Sequence, residues 1–328
     1  MSNTEIFSDD AAPYDFALSV VVPVYNGAAS VPTLVEALAQ LQVEGGLEIV
    51  LVNDGSPDNS LDVCRALCKR NAVALTVVNL ARNFGEHNAV MAGYTHARGE
   101  YIINMDDDLQ NPPEEVLNLW QHTKANNHDV VYTFYANKKH DSWRNLGSRF
   151  TNWCADLVID KPKGLYLSSF KALKRGVVDQ VRNHEGPFAY LDGLILDITR
   201  RIASVEIQHG SRAYGEGNYN FKKSISLWLR MVTGTSIVPL RLVTLMGACL
   251  AALGFMGAIF VAVSSYLYPN ESKGWASIIV TILLVSGFQT LFIGVLGEYL
   301  GRIHLRLNDK PQYLFRYVTK NDREFPKL

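Results

Sequence analysis

The 328-residue chain holds only four cysteines, Cys64, Cys68, Cys154 and Cys249, with no CxxC pair and no Cys/His cluster at zinc spacing. That excludes a disulfide-stapled scaffold and a zinc ribbon, and it fits reduced thiols facing the cytoplasm. Charge is scarce as well, at 19% of residues, and the formal net charge is −1. A chain this balanced offers no electrostatic footprint for nucleic acid, and a 48% hydrophobic content excludes a disordered polymer. HExxH, the P-loop and Gly-x-Ser-x-Gly are all missing, which removes metalloprotease, P-loop NTPase and serine-hydrolase readings. No Lys or Arg precedes Arg65, although ten acidic side chains do; from Arg65 onward, 31 basic residues face 22 acidic ones. The N-terminus lacks the basic start and apolar run of a secretory signal, and residues 1–17 are expected to form a flexible acidic tail. The late basic surplus points to an anion met by the later part of the chain.

What the chain has in quantity is apolar sequence near its end. Leu242–Tyr268 and Gly274–Gly297 contain no charged side chain. Each exceeds the roughly 20 residues that a helix needs to cross about 30 Å of hydrocarbon. Two transmembrane helices are therefore expected, about 242–265 and 275–297, within a hairpin spanning 237–300. Lys222, Lys223, Arg230 and Arg241 precede the pair, Arg302, Arg306, Lys310 and Arg316 follow it, and the loop holds only Lys273 beside Glu271. By the positive-inside rule, both termini and everything before the hairpin are cytoplasmic, as is the tail 301–328. Two further stripes fit either ordinary core or, because they combine tryptophan with basic residues close to an apolar hairpin, helices lying on an anionic membrane face; the second reading is taken as the expectation. One, near 142–158, carries Trp143, Leu146, Phe150, Trp153 and Leu157; the other, 221–236, carries Phe221, Ile225, Trp228, Leu229 and Val232.

From Leu18 the pattern alternates. Short Val- and Ile-rich runs at Leu18–Val24, Leu47–Asn53, Leu75–Asn79, Tyr101–Met105 and Val130–Phe134 are separated by helical periodicity around 31–41, 59–70, 86–97 and 114–125. This order predicts an α/β domain, a mainly parallel sheet with helices on both faces, in which ligands bind beyond the carboxyl ends of the strands. The unusual residues lie there. Pro23-Val24-Tyr25-Asn26-Gly27, Asn53-Asp54-Gly55-Ser56, Arg82-Asn83-Phe84-Gly85-Glu86-His87 and Asp106-Asp107-Asp108-Leu109-Gln110 follow four consecutive strands. Three adjacent carboxylates repel one another unless they are solvated or share a cation, and oxygen ligands suit Mg²⁺ or Mn²⁺. If the chain stays extended, Asp106, Asp108 and Gln110 face one side. The other reading of the same residues is a solvated acidic loop capping the helix that begins near Pro113.

In sequence order, VVPVYN, VNDGSPDNS, ARNFGEHNAVMAGYTHARGE, MDDDLQNPPEE, SRAYGEGNYNF and GEYLGRI resemble glycosyltransferase family 2, in its membrane-attached polyprenyl-phosphate branch, over almost the whole chain. The resemblance implies a Rossmann-like GT-A domain over 18–220 joined to the hairpin. It further implies a nucleotide-sugar donor such as a UDP-sugar, a Mg²⁺ or Mn²⁺ cofactor, a polyprenyl (undecaprenyl) phosphate acceptor, inversion at the sugar, and a homotetramer in the inner membrane. It gives Asp106, Asp108 and Gln110 the metal and diphosphate, and Asp54 the nucleotide base. Pro23, Tyr25, Asn26 and Asp107 join the donor pocket, with Arg82 and His87 near it, and Arg212 closes over the phosphates.

Several residues depart from the family pattern. Asn26-Gly27 stands where Asn-Glu is usual, Asn218 where Lys is usual, Lys171 where Arg is usual, and Leu165 where an Asp proposed as base is expected. A phosphate acceptor has its second pKa near about 6 and is already anionic at neutral pH, so it needs cationic orientation rather than a base. Lys161, Lys163, Lys171 and Arg212 are the candidates for that role. A hydroxyl acceptor on a polysaccharide would call for a carboxylate that Leu165 does not supply. A non-catalytic scaffold would have been suggested by loss of Asp54 or of the acidic motif, and both are intact.

Overall fold

The computed structural model describes residues 14–70, 73–134, 162, 164–184, 190–207, 238–267, 274–307, 311–320 and 323–326. Two compact units divide the chain. The first is built on β1 (Phe16–Val24), β2 (Leu47–Asn53), β3 (Ala74–Leu80), β4 (Gly99–Asn104) and β5 (Val130–Phe134). Each coincides with an expected strand to within two residues. Between them lie α1 (Val31–Ala39), α2 (Ser60–Arg70), α3 (Glu86–Tyr94) and α4 (Glu114–Ala125). Next come β6 (Lys171–Lys174), α5 (Arg175–Arg182), α6 (Leu191–Ile198) and β7 (Ile202–Glu206).

The central strands pair in parallel in the order β3-β2-β1-β4. Every residue of β2 is buried, the signature of a strand covered on both faces. The two faces follow the period-two alternation. Val20, Val22, Ile49, Leu51 and Ile103 pack with Leu34 and Leu38 of α1, Cys64 of α2, and Leu119 and Trp120 of α4. The opposite face takes α3, whose Gly93 presses on β1 and β2: a Cβ there would fall 2.3 Å from Val21 Cγ1. That close approach fixes the helix on the sheet and delivers its first residues, Glu86 and His87, to the strand ends. At the opposite end of the sheet, buried Glu48 is fully satisfied by Ser19 Oγ at 2.8 Å and by Arg98 Nε at 2.9 Å.

Beyond the predicted strands the sheet is longer than the sequence pattern suggested. β6 runs antiparallel between β4 and β5, and β7 extends the β5 edge. The segment expected only as a cytoplasmic tail supplies β8 (Phe315–Lys320) and β9 (Arg323–Pro326), and β8 lies antiparallel along β3. Val318 and Thr319, adjacent and so on opposite faces, are both buried while Arg316 is exposed, and the strand pairs an edge of β3 that would otherwise be open.

The second unit contains α7 (Val238–Leu267) and α8 (Trp275–Leu307), of 30 and 33 residues, about 45 and 50 Å long. They meet at Gly247, where a Cβ would lie 3.6 Å from Phe292. Side chains of several residues within both helices lie outside the description, and among the described residues no helix is long and apolar enough to cross a membrane. The expected interface helices, 142–158 and 221–236, also lie outside the described residues.

Candidate active site

Chain order reverses at β1: β2 and β3 follow on one side, whereas β4 lies on the other. Such a switch point opens a crevice at the carboxyl ends of the strands. A cavity of about 720 Å³ lies there, lined by loops after β1, β2, β3 and β4, by residues 166–169 and by the start of α6. Of the residues expected at the site, Pro23, Tyr25, Asp54, His87, Asp106, Asp107, Asp108, Gln110 and Lys171 all reach it.

The loops are tied to one another by short-range chemistry. Asp54 N–H donates to Val24 O at 2.9 Å, and Ser56 Oγ, 3.3 Å from Val24 O, accepts the Asn26 N–H. Asp54, only 3% exposed, accepts the N–H groups of Phe84 at 2.7 Å and Gly85 at 2.9 Å on its two oxygens. Burial pushes its carboxyl up, and those two backbone donors pull it back. Its first role is therefore to clamp the β3–α3 loop. Gly55 makes that possible: its φ is +61°, and a Cβ would fall 2.4 Å from the Arg82 backbone. Two expected donor residues stand aside from the cavity lining. Asn26 is an exposed turn residue at φ 57°, and Arg82 lays its guanidinium 4.8 Å from the centre of the Phe84 ring.

The acidic loop does not stay extended. Strand β4 ends at Asn104, and Leu109 turns the chain at φ 59° while Gln110 N–H donates to Asp108 Oδ1 at 3.2 Å. The same-side argument from strand alternation therefore fails, yet the turn itself returns Gln110 to the cavity beside Asp106 and Asp108. Asp106 accepts Ser169 Oγ at 2.5 Å. Desolvation, then Asp108 and Asp106, push the Asp107 carboxyl up to about 7, against the N–H groups of Asp107 and Tyr25. Desolvation and Asp106 likewise raise Glu86 to about 7, with Lys171 opposing; Glu86 is exposed as a whole residue, so solvent screens part of that push.

Among the described residues no group of three His, Cys, Asp or Glu side chains is arranged to hold a metal. Two carboxylates and an amide oxygen at the mouth of a polar cavity nonetheless fit a hard cation that takes the rest of its shell from water and phosphate oxygens. Crowding that raises a neighbouring carboxyl is what such a cation relieves.

At the floor of the cavity Lys171 and His87 were expected from the sequence, but their partners Asp192, Tyr132 and Tyr190 were not. Lys171, only 2% exposed, ion-pairs with Asp192, which also accepts Tyr132 Oη at 2.9 Å. Lys171 Nζ sits 5.2 Å from the Tyr132 ring centre, and His87 meets Tyr190 edge-on at 5.5 Å. Burial holds the His87 imidazolium down, favouring the neutral ring. The available signal for Asp192 was a lone acid in the apolar run Leu191-Asp192-Gly193-Leu194-Ile195-Leu196. Because removing one partner of a buried pair strands the other charge, Lys171→Met should cost about 3 kcal/mol. The double change Lys171→Met/Asp192→Leu should recover most of that loss. Urea-denaturation midpoints of the two variants check this, and equal midpoints would refute it. Lys161, Lys163 and Arg212 lie outside the described residues.

A sheet parallel at its centre, with a switch-point cavity, polar loops after four strands and an acidic loop at its mouth, defines an α/β fold that takes its ligand beyond the strand ends. The sequence matches the model of Glycosyl transferase family 2 over residues 19–182. The chain belongs to that family and is a glycosyltransferase. It is 33% identical, over 94% of its length and 92% of the relative's, to a protein of Pseudomonas aeruginosa (strain LESB58) named undecaprenyl-phosphate 4-deoxy-4-formamido-L-arabinose transferase. The protein of the same name from Serratia proteamaculans (strain 568) is 34% identical, with 92% of this chain and 94% of that one covered. Among solved structures, glucosyl-3-phosphoglycerate synthase of Mycobacterium tuberculosis, in complex with Mn²⁺, UDP and phosphoglyceric acid, superposes with a TM-score of 0.51 at 20% identity. That likeness covers 66% of this chain and 76% of the synthase, and it shows the shared fold.

Proposed function

We propose that the protein transfers a sugar from a UDP-sugar to undecaprenyl phosphate, with inversion, at the cytoplasmic face of the inner membrane. The product is a lipid-linked monosaccharide for the cell envelope. The observation that carries this reading is identity of 33–34%, over more than nine-tenths of the chain, to relatives named for transfer to undecaprenyl phosphate. Asp106, Asp108 and Gln110 would hold a Mg²⁺ or Mn²⁺ ion, which neutralises the departing diphosphate. Asp54 keeps the β3–α3 loop in the shape that receives the nucleoside. Lys171, paired with Asp192, shapes the cavity floor, and Lys163 and Arg212 would orient the acceptor phosphate. Leu165, an aliphatic side chain, cannot take a proton, which suits a phosphate acceptor that has already lost its own.

Membrane attachment belongs to the same proposal. Leu242–Leu267 and Trp275–Gly297 carry no charge, and large apolar side chains are exposed along both helices, Phe255 at 70% and Phe260 at 73% among them. Such a surface suits lipid better than water. The first unit is interrupted in sequence by the second and resumes at residue 311. Spanning helices inserted in this way must cross an even number of times, in keeping with basic residues on both flanks.

The test uses the full-length protein purified in detergent, undecaprenyl phosphate, Mg²⁺ or Mn²⁺ and a panel of UDP-sugars, with mass spectrometry of the lipid product. A lipid-linked monosaccharide is expected. No transfer from any donor, or transfer to a glycan hydroxyl but never to the lipid phosphate, overturns the reading.

A further inference from the structure

The three consecutive aspartates of the acidic loop do not share one environment. Asp106 is bonded by Ser169 Oγ and Asp108 by the Gln110 N–H. Asp107 leaves its Oδ2 excluded from solvent with no hydrogen-bond partner. That oxygen fills the space where a side chain at position 27 would begin. A Cβ on Gly27 would fall 2.0 Å from Asp107 Oδ2, and 3.1 Å from both Asp107 Cγ and Val24 Cγ1. Gly27 is not among the residues with positive φ, so backbone freedom gives no reason for glycine there; the missing side chain does. Of the atoms that would collide, the carboxylate is the one free to move, by rotation about its own side-chain bonds. Val24 belongs to β1 and is held in the core.

We propose that the notch at Gly27 is a positioning device that holds the Asp107 carboxylate out of the space meant for the cation and the donor's diphosphate. With the notch open, the cavity presents the carboxylates of Asp106 and Asp108 to the ion. With the notch filled, a third carboxylate swings into the same space, offers the cation another ligand and repels the diphosphate. The inference deepens the donor and cation reading proposed above and rests on it.

A double-mutant cycle tests it on the full-length protein in detergent. UDP binding in the presence of Mn²⁺ is measured by calorimetry, and Mn²⁺ alone by its free-ion electron paramagnetic resonance signal. Gly27→Ala should weaken UDP binding by about tenfold while tightening Mn²⁺ alone. In the Asp107→Asn background, the same Gly27→Ala change should alter UDP binding by less than about threefold, because the displaced group carries no charge. Equal losses in the two backgrounds, or no loss in either, overturn the proposal. If the wild-type protein fails to bind UDP with Mn²⁺, the donor reading falls instead, and the Mn²⁺ measurement still decides the notch. If Gly27→Ala does not fold, a folded Gly27→Ala/Asp107→Ala protein supports the clash, and a second unfolded one refutes it.

Discussion

Asp108→Ala will lower the rate of sugar transfer by about a thousandfold, with little change in the melting temperature. Loss of one electrostatic stabiliser of a developing charge costs roughly two to three orders of magnitude in rate, and a departing diphosphate develops more charge than most leaving groups. Asp108 sits in the turn that follows β4, lines the cavity, and makes a local contact with the Gln110 N–H. Loss of that hydrogen bond costs about 1 kcal/mol of folding stability, small beside the effect on the reaction. Asp106→Ala should behave alike in rate but loses the bond from Ser169 as well. Single-turnover transfer at saturating metal, paired with thermal melts, separates the two quantities. An Asp108→Ala protein that keeps full activity would show that the acidic loop is a solvated cap for α4 and that the cation, if any, binds elsewhere.

Much of the catalytic unit is legible in the sequence, for identifiable physical reasons. Strands buried on both faces must be continuous apolar runs, so β1, β2, β3, β4 and β5 stood out, and the polar turns that bound them became the walls of the cavity. β6 escaped because Lys-Ala-Leu-Lys is four residues long and charged at both ends; its burial comes from β4 and β5 on either side. β8 escaped because its partner, β3, lies about 240 residues earlier, beyond the reach of any local pattern. The residues of the acidic loop were legible, but their geometry was not: period-two alternation holds only in a strand, whereas Leu109 and the Asp108–Gln110 bond make a turn. Lys171 looked like a free cation for the acceptor, and its commitment to Asp192 is a tertiary fact. Gly27 stood out in the sequence as a departure from the family's usual Glu, and only the Asp107 carboxylate beside it shows what its hydrogen makes room for.

Deleting residues 311–328 will abolish folding of the catalytic unit even though none of the described residues among them lines the cavity. β8 pairs with β3 from Thr76↔Lys320 to Leu80↔Phe315, and the ladder continues as Ala81 N–H donates to Leu314 O at 2.7 Å. Cys68 lies 4.0 Å from Thr319 O, and Arg65 stands 4.8 Å from the Tyr317 ring centre, so the strand also packs on α2. Without it β3 becomes an open edge whose buried Val77, Val78 and Leu80 have lost their cover. A ladder of about five backbone bonds at roughly 1 kcal/mol each, together with the burial of Val318, amounts to more than about 5 kcal/mol. That is the whole stability of many domains. The damage also reaches the chemistry, because Ala81 leads directly into the loop that Asp54 clamps through Phe84 and Gly85. Val318→Asp, at a position only 4% exposed, is the milder form and should cost about 3 kcal/mol by burying an unpaired charge. Urea melts should rank the full chain above Val318→Asp, and Val318→Asp above the truncated chain, which should show no cooperative transition. Adding a peptide of residues 311–328 to the truncated chain during refolding should restore part of the transition. If the truncated chain melts and turns over like the full one, β8 is an ornament on the sheet, and the return of the chain from the apolar helices to β3 has no bearing on catalysis.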